Sequence, residues 1–267
     1  MTTSPLDLTG RRVLITGASR GLGRELALGF AAAGARLALV ARDREALDDL
    51  AATHGGHSYP TDLTDRDALR GLLDRVEADG PVDILVNNAG DERVGPFAEL
   101  DADGLEFVVR LNALAAAELC RQAVPRMLAR GVGRLVNISS MGALVCTPHL
   151  AAYSATKAFL SHFTANLALE LRDTPITCTK VEIGETSGTG QADSVRRDPV
   201  VTAVFDQLYR LHLSRPLTTR EVTEATIRAV REGRPSVQLP RRLAPAARLA
   251  DLIRAAARPA MPGAATR

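Results

Sequence analysis

Short apolar runs alternate with longer amphipathic segments along most of this sequence. The apolar runs are rich in Val, Ile and Leu and have the lengths of buried strands. The predicted strands are Arg12 to Thr16, Arg36 to Ala41, His57 to Pro60, Val82 to Val86, Arg134 to Ser139, Ile176 to Ile183 and Pro235 to Leu239. Strands that alternate with helices favour a parallel sheet with right-handed crossovers. We therefore expect an α/β fold, with one doubly wound parallel sheet and helices on both faces.

The segments between the strands have helical periodicity. The predicted helices are a run that follows the first strand and ends at Ala33, then Asp65 to Ala78, Asp101 to Ala129, Leu150 to Leu171, Pro199 to His212 and Thr218 to Glu232. The connection from Gly184 to Pro199 differs, because it is rich in Gly, Ser and Thr. A long connection inside a compact domain is usually functional or mobile, so we expect a substrate lid there.

A single domain is expected for residues 1–240, since neither a repeat nor a linker interrupts the pattern. The tail, residues 241–267, is basic and Ala-rich. The pattern predicts a short amphipathic helix and then a disordered end, with an apolar face formed by Ala246, Leu249, Leu252, Ile253 and Ala256. This helix either packs on protein, in its own or a partner subunit, or lies on an anionic membrane surface. We favour packing on protein.

Composition excludes several classes of function. The chain has 267 residues, 46% of them hydrophobic, which is enough for a large core. Its 33 Lys and Arg against 31 Asp and Glu leave a formal charge of +2, so no global field favours nucleic acid. Cys120, Cys146 and Cys178 lack the spacing of a disulfide framework or a zinc site. No signal sequence or membrane-spanning run is visible, so we expect a cytoplasmic protein without a metal or a membrane span.

A glycine-rich turn, GASRGLG, follows the first predicted strand. Gly17, Gly21 and Gly23 permit a tight turn from strand to helix, a close approach of the backbone to a pyrophosphate, and close packing of the helix on the sheet. The bare amides at the start of the helix then face the anion. The turn therefore predicts a dinucleotide site, and a glycine-rich connection without a ligand is the alternative.

Two arginines bear on which dinucleotide is bound. Arg42 follows the second strand, where an acid suits the ribose 2′-hydroxyl of NAD and an arginine suits the 2′-phosphate of NADP. Arg20, inside the glycine turn, adds a second positive charge. We therefore expect NADP (NADPH) as the cofactor. Asp43 leaves NAD open, and both arginines could instead be solvated surface groups.

Polar residues also follow the third and fourth strands. Asp62 is expected to accept from an adenine amino group; alternatively, Thr64 or Asp65 simply caps the next helix. The NNAG segment, residues 87–90, is either a mere turn or, as we expect, part of the cofactor floor. Asn112 lies among apolar neighbours in a predicted helix. A buried amide without a partner costs about 1–3 kcal/mol, so Asn112 is tied to local backbone or holds an ordered water.

Candidate acid–base chemistry lies between Ser140 and Lys157. Tyr153 and Lys157 are four residues apart and share one face of a predicted helix. A phenol beside an ammonium is expected to have a pKa below its usual value of about 10. Ser140 lies at the carboxyl end of the fifth strand, where open parallel sheets bind ligands, and could hold a substrate oxygen against the phenol.

Together these motifs resemble the short-chain dehydrogenase/reductase family, over about Leu8 to Pro240. TGxxxGxG, NNAG and YxxxK occur in the family's order, with Ser140 at its spacing. The resemblance implies a Rossmann-like fold, with Tyr153 as general acid/base, Lys157 lowering its pKa and holding the nicotinamide ribose, Ser140 orienting the substrate oxygen and Asn112 keeping a water for proton relay. It also implies the cofactor-binding set Gly17, Ser19, Arg20, Gly21, Leu22, Gly23, Arg42, Asp62, Leu63, Asn88, Ala89, Gly90, Tyr153, Lys157, Gly184 and Thr186.

Two segments depart from the family pattern. Ile183-Gly184 replaces the usual Pro-Gly after the sixth strand, and Thr186 or Thr189 is a possible stand-in for the contact with the nicotinamide carboxamide. Asp91-Glu92-Arg93 follows NNAG, where small or apolar residues are usual. These charges either select a polar group of the substrate or point to solvent, and we expect the latter.

The leading functional hypothesis is an NADP-dependent oxidoreductase that moves a hydride between the nicotinamide and a carbonyl or secondary alcohol substrate. An epimerase or dehydratase with a retained nucleotide is the alternative enzyme, and an NADP-sensing regulator without turnover is the alternative from another class. The resemblance also implies a homo-dimer or homo-tetramer built on two long helices.

Overall fold

The computed structural model describes residues 5–243 of the chain. Its strands are β1 Arg12–Thr16, β2 Arg36–Ala41, β3 Gly56–Pro60, β4 Ile84–Asn87, β5 Gly133–Ser140, β6 Ile176–Ile183, β7 Thr186–Ser187, β8 Leu217–Thr218 and β9 Ser236–Leu239. Seven strands form one parallel sheet in the order β3-β2-β1-β4-β5-β6-β9. The order reverses between β1 and β4, and such switch points are where doubly wound sheets bind ligands. The predicted Rossmann-like α/β fold is confirmed.

Ten α-helices are described, and most of them begin at a side-chain cap. They are α1 Gly21–Ala32, α2 Arg44–His54, α3 Arg66–Arg70, α4 Leu72–Glu77, α5 Ala102–Val109, α6 Ala115–Arg130, α7 Ala151–Glu170, α8 Gly190–Arg196, α9 Pro199–Arg210 and α10 Thr219–Glu232. The capping side chains accept from backbone N–H groups of the first turn and belong to Asp43, Asp65, Asp101, Thr189, Asp198 and Thr218.

Apolar side chains fill one layer on each face of the sheet. Within β1, Val13 and Ile15 face the layer that contains α1, α2 and α10, while Leu14 faces the layer of α4, α6 and α7. The strands are buried on both faces, which explains why they are continuous apolar runs rather than alternating ones. The sheet is therefore a rigid platform, and its carboxyl edge holds the polar residues that the motifs supply.

Three predicted segments contain a break or an element that the sequence pattern does not indicate. The expected helix from Asp65 to Ala78 breaks at Gly71 into α3 and α4. The expected helix from Asp101 to Ala129 contains a π-helical turn, Arg110–Leu114, between α5 and α6. The expected irregular lid contains β7, which pairs with β8, and α8. The predicted tail helix lies outside the described residues.

None of the helices within residues 5–243 combines the length and the apolar character needed to cross a membrane. The same part of the chain contains no cluster of His, Cys, Asp and Glu side chains suited to a metal ion.

Candidate active site

The glycine turn joins β1 to α1 at the carboxyl edge of the sheet. Gly17 and Gly21 have φ angles of 68° and 54°, in the left-handed region that favours glycine. A Cβ atom on Gly23 would lie 2.0 Å from the carbonyl oxygen of Gly17, so no side chain fits there. The first turn of α1 has neither a side-chain cap nor an acidic residue. Its backbone N–H groups are therefore available to an anion such as a pyrophosphate.

Thr16, the last residue of β1, holds the NNAG segment against the glycine turn. Its Oγ1 accepts from the backbone N–H groups of Asn88 at 2.9 Å and Ala89 at 3.1 Å. The side-chain amide of Asn88 donates to the Thr16 carbonyl oxygen at 3.0 Å. Asn88, Ala89 and Gly90 line the cavity above the turn. Thr16 is not among the predicted site residues, although it begins the glycine motif that could have indicated it.

Two basic and two acidic side chains line the outer end of this cavity, namely Arg20, Arg42, Asp43 and Asp62. Both arginines are exposed. The Asp43 carboxylate caps α2, and the Asp62 carboxylate accepts from the backbone N–H of Thr64 at 2.9 Å and from its hydroxyl at 2.7 Å. The carboxylates thus have local partners, while both guanidinium groups stay accessible at the cavity rim.

Ser140, Tyr153 and Lys157 lie together at the inner end of the crevice. Ser140 ends β5, and the other two project from the first turns of α7 into the same pocket. The Ser140 hydroxyl lies beside Tyr153 in this pocket, and it accepts from the backbone N–H of Gly142 at 3.0 Å. The Lys157 Nζ lies 5.6 Å from the centroid of the Tyr153 ring and donates to the carbonyl oxygen of Ile138 at 3.0 Å.

Burial changes the pKa values of both Lys157 and Tyr153. It lowers the pKa of Lys157 to about 8, against the charge of Glu92. Burial also raises the pKa of the Tyr153 phenol well above its usual value; the Glu92 charge adds to this effect, and the neighbouring Ser140 hydroxyl opposes it. The expected lowering of the Tyr153 pKa is therefore wrong for the chain alone, because desolvation dominates and the Lys157 ammonium donates to a backbone carbonyl. The phenol stays protonated at neutral pH.

Asn112 lies in the π-helical turn between α5 and α6, and such turns often occur at functional sites. Its side-chain oxygen accepts from the backbone N–H of Asp91 at 2.9 Å. Its amide donates to the Asp91 carbonyl oxygen at 2.8 Å and to the Thr156 hydroxyl at 3.0 Å. The structure ties the amide to backbone, although to Asp91, 21 residues away, rather than to local backbone. Asn112 thereby fixes the segment after NNAG beside α7.

The cofactor cavity and the catalytic pocket are continuous, because Leu22, Asn88, Thr189 and Gln191 line both. The predicted residues that line the first are Gly17, Ser19, Arg20, Gly21, Leu22, Gly23, Arg42, Asp62, Leu63, Asn88, Ala89 and Gly90. Those that line the second are Ser140, Tyr153, Lys157, Gly184 and Thr186. Asn112 lines neither; it lies next to Gly90, where a Cβ would be 3.2 Å from its side-chain oxygen.

The chain matches known proteins over most of its length. A family model described as short chain dehydrogenase matches residues 11–199. The chain belongs to the short-chain dehydrogenase family. L-xylulose reductase of Mus musculus is 39% identical over 168 residues, which cover 62% of this chain and 68% of that protein. A short chain dehydrogenase of Pseudocercospora fijiensis is 38% identical over 178 residues; the match covers 64% of this chain and 58% of the relative's length.

A solved structure of the same family has the same architecture. The short-chain dehydrogenase from Sphingobium yanoikuyae in complex with NADPH gives a TM-score of 0.80 at 30% identity, with 96% of this chain and 98% of that chain covered. As a member of this family, the chain is a nicotinamide-dependent dehydrogenase or reductase that acts on an alcohol or a carbonyl group.

The segment after β6 departs from the family pattern. The backbone N–H of Gly184 donates to a carbonyl of β9 at 2.8 Å. The Thr189 hydroxyl donates to the Thr186 carbonyl oxygen at 2.9 Å and accepts from the first turn of α8 at 3.1 Å. The Thr186 hydroxyl donates to the Gly184 carbonyl oxygen at 3.1 Å and still has acceptor capacity. Of the two candidate stand-ins, Thr186 is the better suited to a carboxamide.

The expectation that the charges after NNAG point to solvent is wrong for Glu92. Its side chain is only 8% exposed and lines the catalytic pocket with Ser140, Tyr153 and Lys157. Burial raises the pKa of its carboxyl to about 7, even though the Lys157 charge acts in the opposite direction. Arg93 is exposed, as expected, with its guanidinium 4.5 Å from the centroid of the Phe107 ring. No local pattern distinguishes the two positions, since burial here depends on tertiary packing.

The lid supplies two contacts that sequence reasoning missed. Gln191, in the first turn of α8, donates to the carbonyl oxygen of Gly90 at 2.8 Å. Arg196, at the end of α8, binds both carboxylate oxygens of Glu185 at 2.8 Å and 2.7 Å. The Gln191 bond holds α8 over the NNAG floor, and the Arg196 bonds tie the end of α8 to the start of the lid. The Gln191 bond joins residues 101 positions apart, so no local motif indicates it.

Proposed function

We propose that the chain is an NADPH-dependent reductase of ketones and related carbonyl compounds, with Tyr153 as the general acid. The observation that carries this proposal is the continuous crevice. One end has an uncapped helix N-terminus and two accessible arginines, and the other has a protonated phenol in the same pocket as the Ser140 hydroxyl. Such an arrangement suits an extended anionic dinucleotide whose reactive end reaches the phenol.

The residues at the outer end fit the phosphates of the cofactor. The glycine turn has no room for side chains at Gly23, and the amides that follow are available to a pyrophosphate. Arg20 and Arg42 suit a 2′-phosphate, whereas the Asp43 carboxylate, which would suit a free ribose hydroxyl, caps α2. The Sphingobium yanoikuyae relative with NADPH bound supports the same choice.

The residues at the inner end handle the proton. When bound, the nicotinamide supplies or accepts the hydride. Ser140 and Tyr153 form the pair of hydroxyls that would orient a substrate oxygen, and the phenol gives its proton to that oxygen as negative charge develops there. An alkoxide is far more basic than a phenolate, so the transfer is favourable even from a phenol with a raised pKa.

Lys157 and Asn112 complete the proposed catalytic set. The Lys157 ammonium is buried beside the Tyr153 ring and is suited to hold the ribose next to the nicotinamide. Asn112 acts as a positioning residue, because its amide is committed to Asp91 and Thr156. Thr186 is assigned to the carboxamide.

The test is net consumption of NADPH by the purified protein with a panel of ketones, followed by the absorbance of reduced nicotinamide. Turnover that requires NADPH and consumes it stoichiometrically supports the proposal. An epimerase or dehydratase with a retained nucleotide would convert substrate without net consumption of NADPH, and that result would contradict the proposal.

A further inference from the structure

Glu92 is a buried carboxylate for which the proposed chemistry has no use. It follows the NNAG floor, and its side chain opens into the pocket that Ser140 and Tyr153 line. At 8% exposure it is largely removed from solvent. A buried carboxylate is costly unless it is paired or hydrogen-bonded, so its position calls for a partner.

Within residues 5–243 the carboxylate has few partners. Its own backbone N–H acts on it favourably, and no cation among these residues forms an ion-pair contact with it. Lys157 and Arg20 act on it as charges, and the neighbouring Asp91 adds a charge of the same sign. Its remaining acceptor sites therefore face the pocket, where a substrate would lie.

Glu92 lines the pocket that also contains the reacting side chains Ser140, Tyr153 and Lys157. Its charge acts on both Tyr153 and Lys157. Gly90, two residues earlier, lies so near Lys157 that a Cβ there would be 3.4 Å from Nζ. A substrate group that reached Glu92 would therefore be attached near the carbonyl carbon rather than at a distant end of the molecule.

We propose that Glu92 is a specificity-determining residue, which accepts a hydrogen bond from a hydroxyl group next to the reacting carbonyl and so selects α-hydroxy ketones. This inference rests on the proposed reductase function. A neutral hydroxyl fits better than an ammonium group, because the Lys157 and Arg20 charges already act on the carboxylate and would repel a third cation. A hydrogen bond to a charged group contributes enough to discriminate about ten- to a hundredfold.

The experiment compares two isomeric ketones with NADPH: 1-hydroxy-2-butanone, which has the O–H donor, and 1-methoxy-2-propanone, which has an ether oxygen and no donor. The wild type is expected to have a ten- to hundredfold higher kcat/KM for the hydroxy ketone. Glu92→Leu removes the acceptor and should bring the ratio within about threefold. Glu92→Gln keeps one acceptor oxygen without the charge and should give an intermediate ratio.

The ratio of the kcat/KM values for the two ketones separates a change in specificity from general damage to the site. Turnover of the methoxy ketone by the wild type tests the reductase itself, whereas the ratio tests Glu92. Fluorescence titration with NADPH verifies that each variant keeps a folded cofactor site. A wild-type ratio near one, or an equal loss of kcat/KM on both ketones in Glu92→Leu, would overturn the assignment and leave the reductase function intact.

Discussion

Glu92→Gln is expected to make the protein more stable at pH 8 and to change its stability little at pH 5. The folded protein raises the pKa of this carboxyl from 4.5 to about 7 because of burial. Between those values the folded state binds more protons than the unfolded state, so the free energy of unfolding falls as pH rises. Above about pH 7 the full free-energy cost of burying the ionised Glu92 carboxylate is present. Glutamine has nearly the same shape and no charge, so it removes the penalty.

The magnitude follows from the shift of the pKa. Each unit corresponds to about 1.4 kcal/mol, so an interval from 4.5 to about 7 gives roughly 3 kcal/mol at pH 8 and less than about 1 kcal/mol at pH 5. In a chain of this size, roughly 3 kcal/mol raises the melting temperature by about 5–10 °C. The groups that face Glu92, namely Lys157, Arg20, Asp91 and Tyr153, are unchanged in the variant.

Urea unfolding of wild type and Glu92→Gln at both pH values, without cofactor, measures the effect. Glu99→Gln is the matched control, since Glu99 is an exposed carboxylate of the same connection and its substitution makes the same change of charge. A variant that is no more stable than the wild type at pH 8, or equally stabilised at both pH values, would refute the reasoning. Either result would mean that the Glu92 carboxylate is solvated or paired.

Further predictions concern the cofactor, the proton and the assembly. Tyr153→Phe should lower kcat by about 10²–10⁴ and keep NADPH affinity, as measured by steady-state kinetics and fluorescence titration. Arg42→Asp should erase a roughly ten- to hundredfold preference for NADPH over NADH in dissociation constants; equal wild-type constants would contradict the NADP assignment. Gly23→Ala should weaken NADPH at least about tenfold, because its Cβ would meet the Gly17 carbonyl at 2.0 Å, whereas Gly71→Ala, with nothing nearer than 4.0 Å, should not. If the chain is a homo-oligomer built on its long helices, Leu114→Asp should dissociate it in light scattering, since Leu114 is 50% exposed beside them.

The sheet could be predicted from sequence because its strands are buried on both faces. Such strands are short continuous apolar runs, and their alternation with helices restricts the topology to very few choices. β6 begins and ends where the pattern placed it, at Ile176 and Ile183. β4 begins at Ile84 rather than Val82, because the apolar run is longer than the part that pairs with β1 and β5.

The elements that escaped prediction depend on contacts between distant segments. The π-helical turn at Asn112 is accompanied by hydrogen bonds to Asp91 and Thr156, which lie 21 and 44 residues away. The lid helix α8 lacks an apolar repeat, and its one local sign is the capping threonine Thr189. The residues around each position indicate only local structure. These features form only when the folded sheet brings distant segments together at its edge.

Burial raises the pKa values of both Glu92 and Tyr153, so the same physical effect acts on both residues. For Tyr153 the consequence is a phenol that keeps its proton at neutral pH, which is the state needed to protonate a substrate oxygen during reduction. For Glu92 it is a carboxyl that titrates near neutrality beside that phenol, and its ionisation raises the pKa of Tyr153 further. The destabilising charge therefore also strengthens the protonated state of the acid. Reduction uses the protonated phenol, so the proposed reductase function agrees with the protonation state that both burial and Glu92 favour.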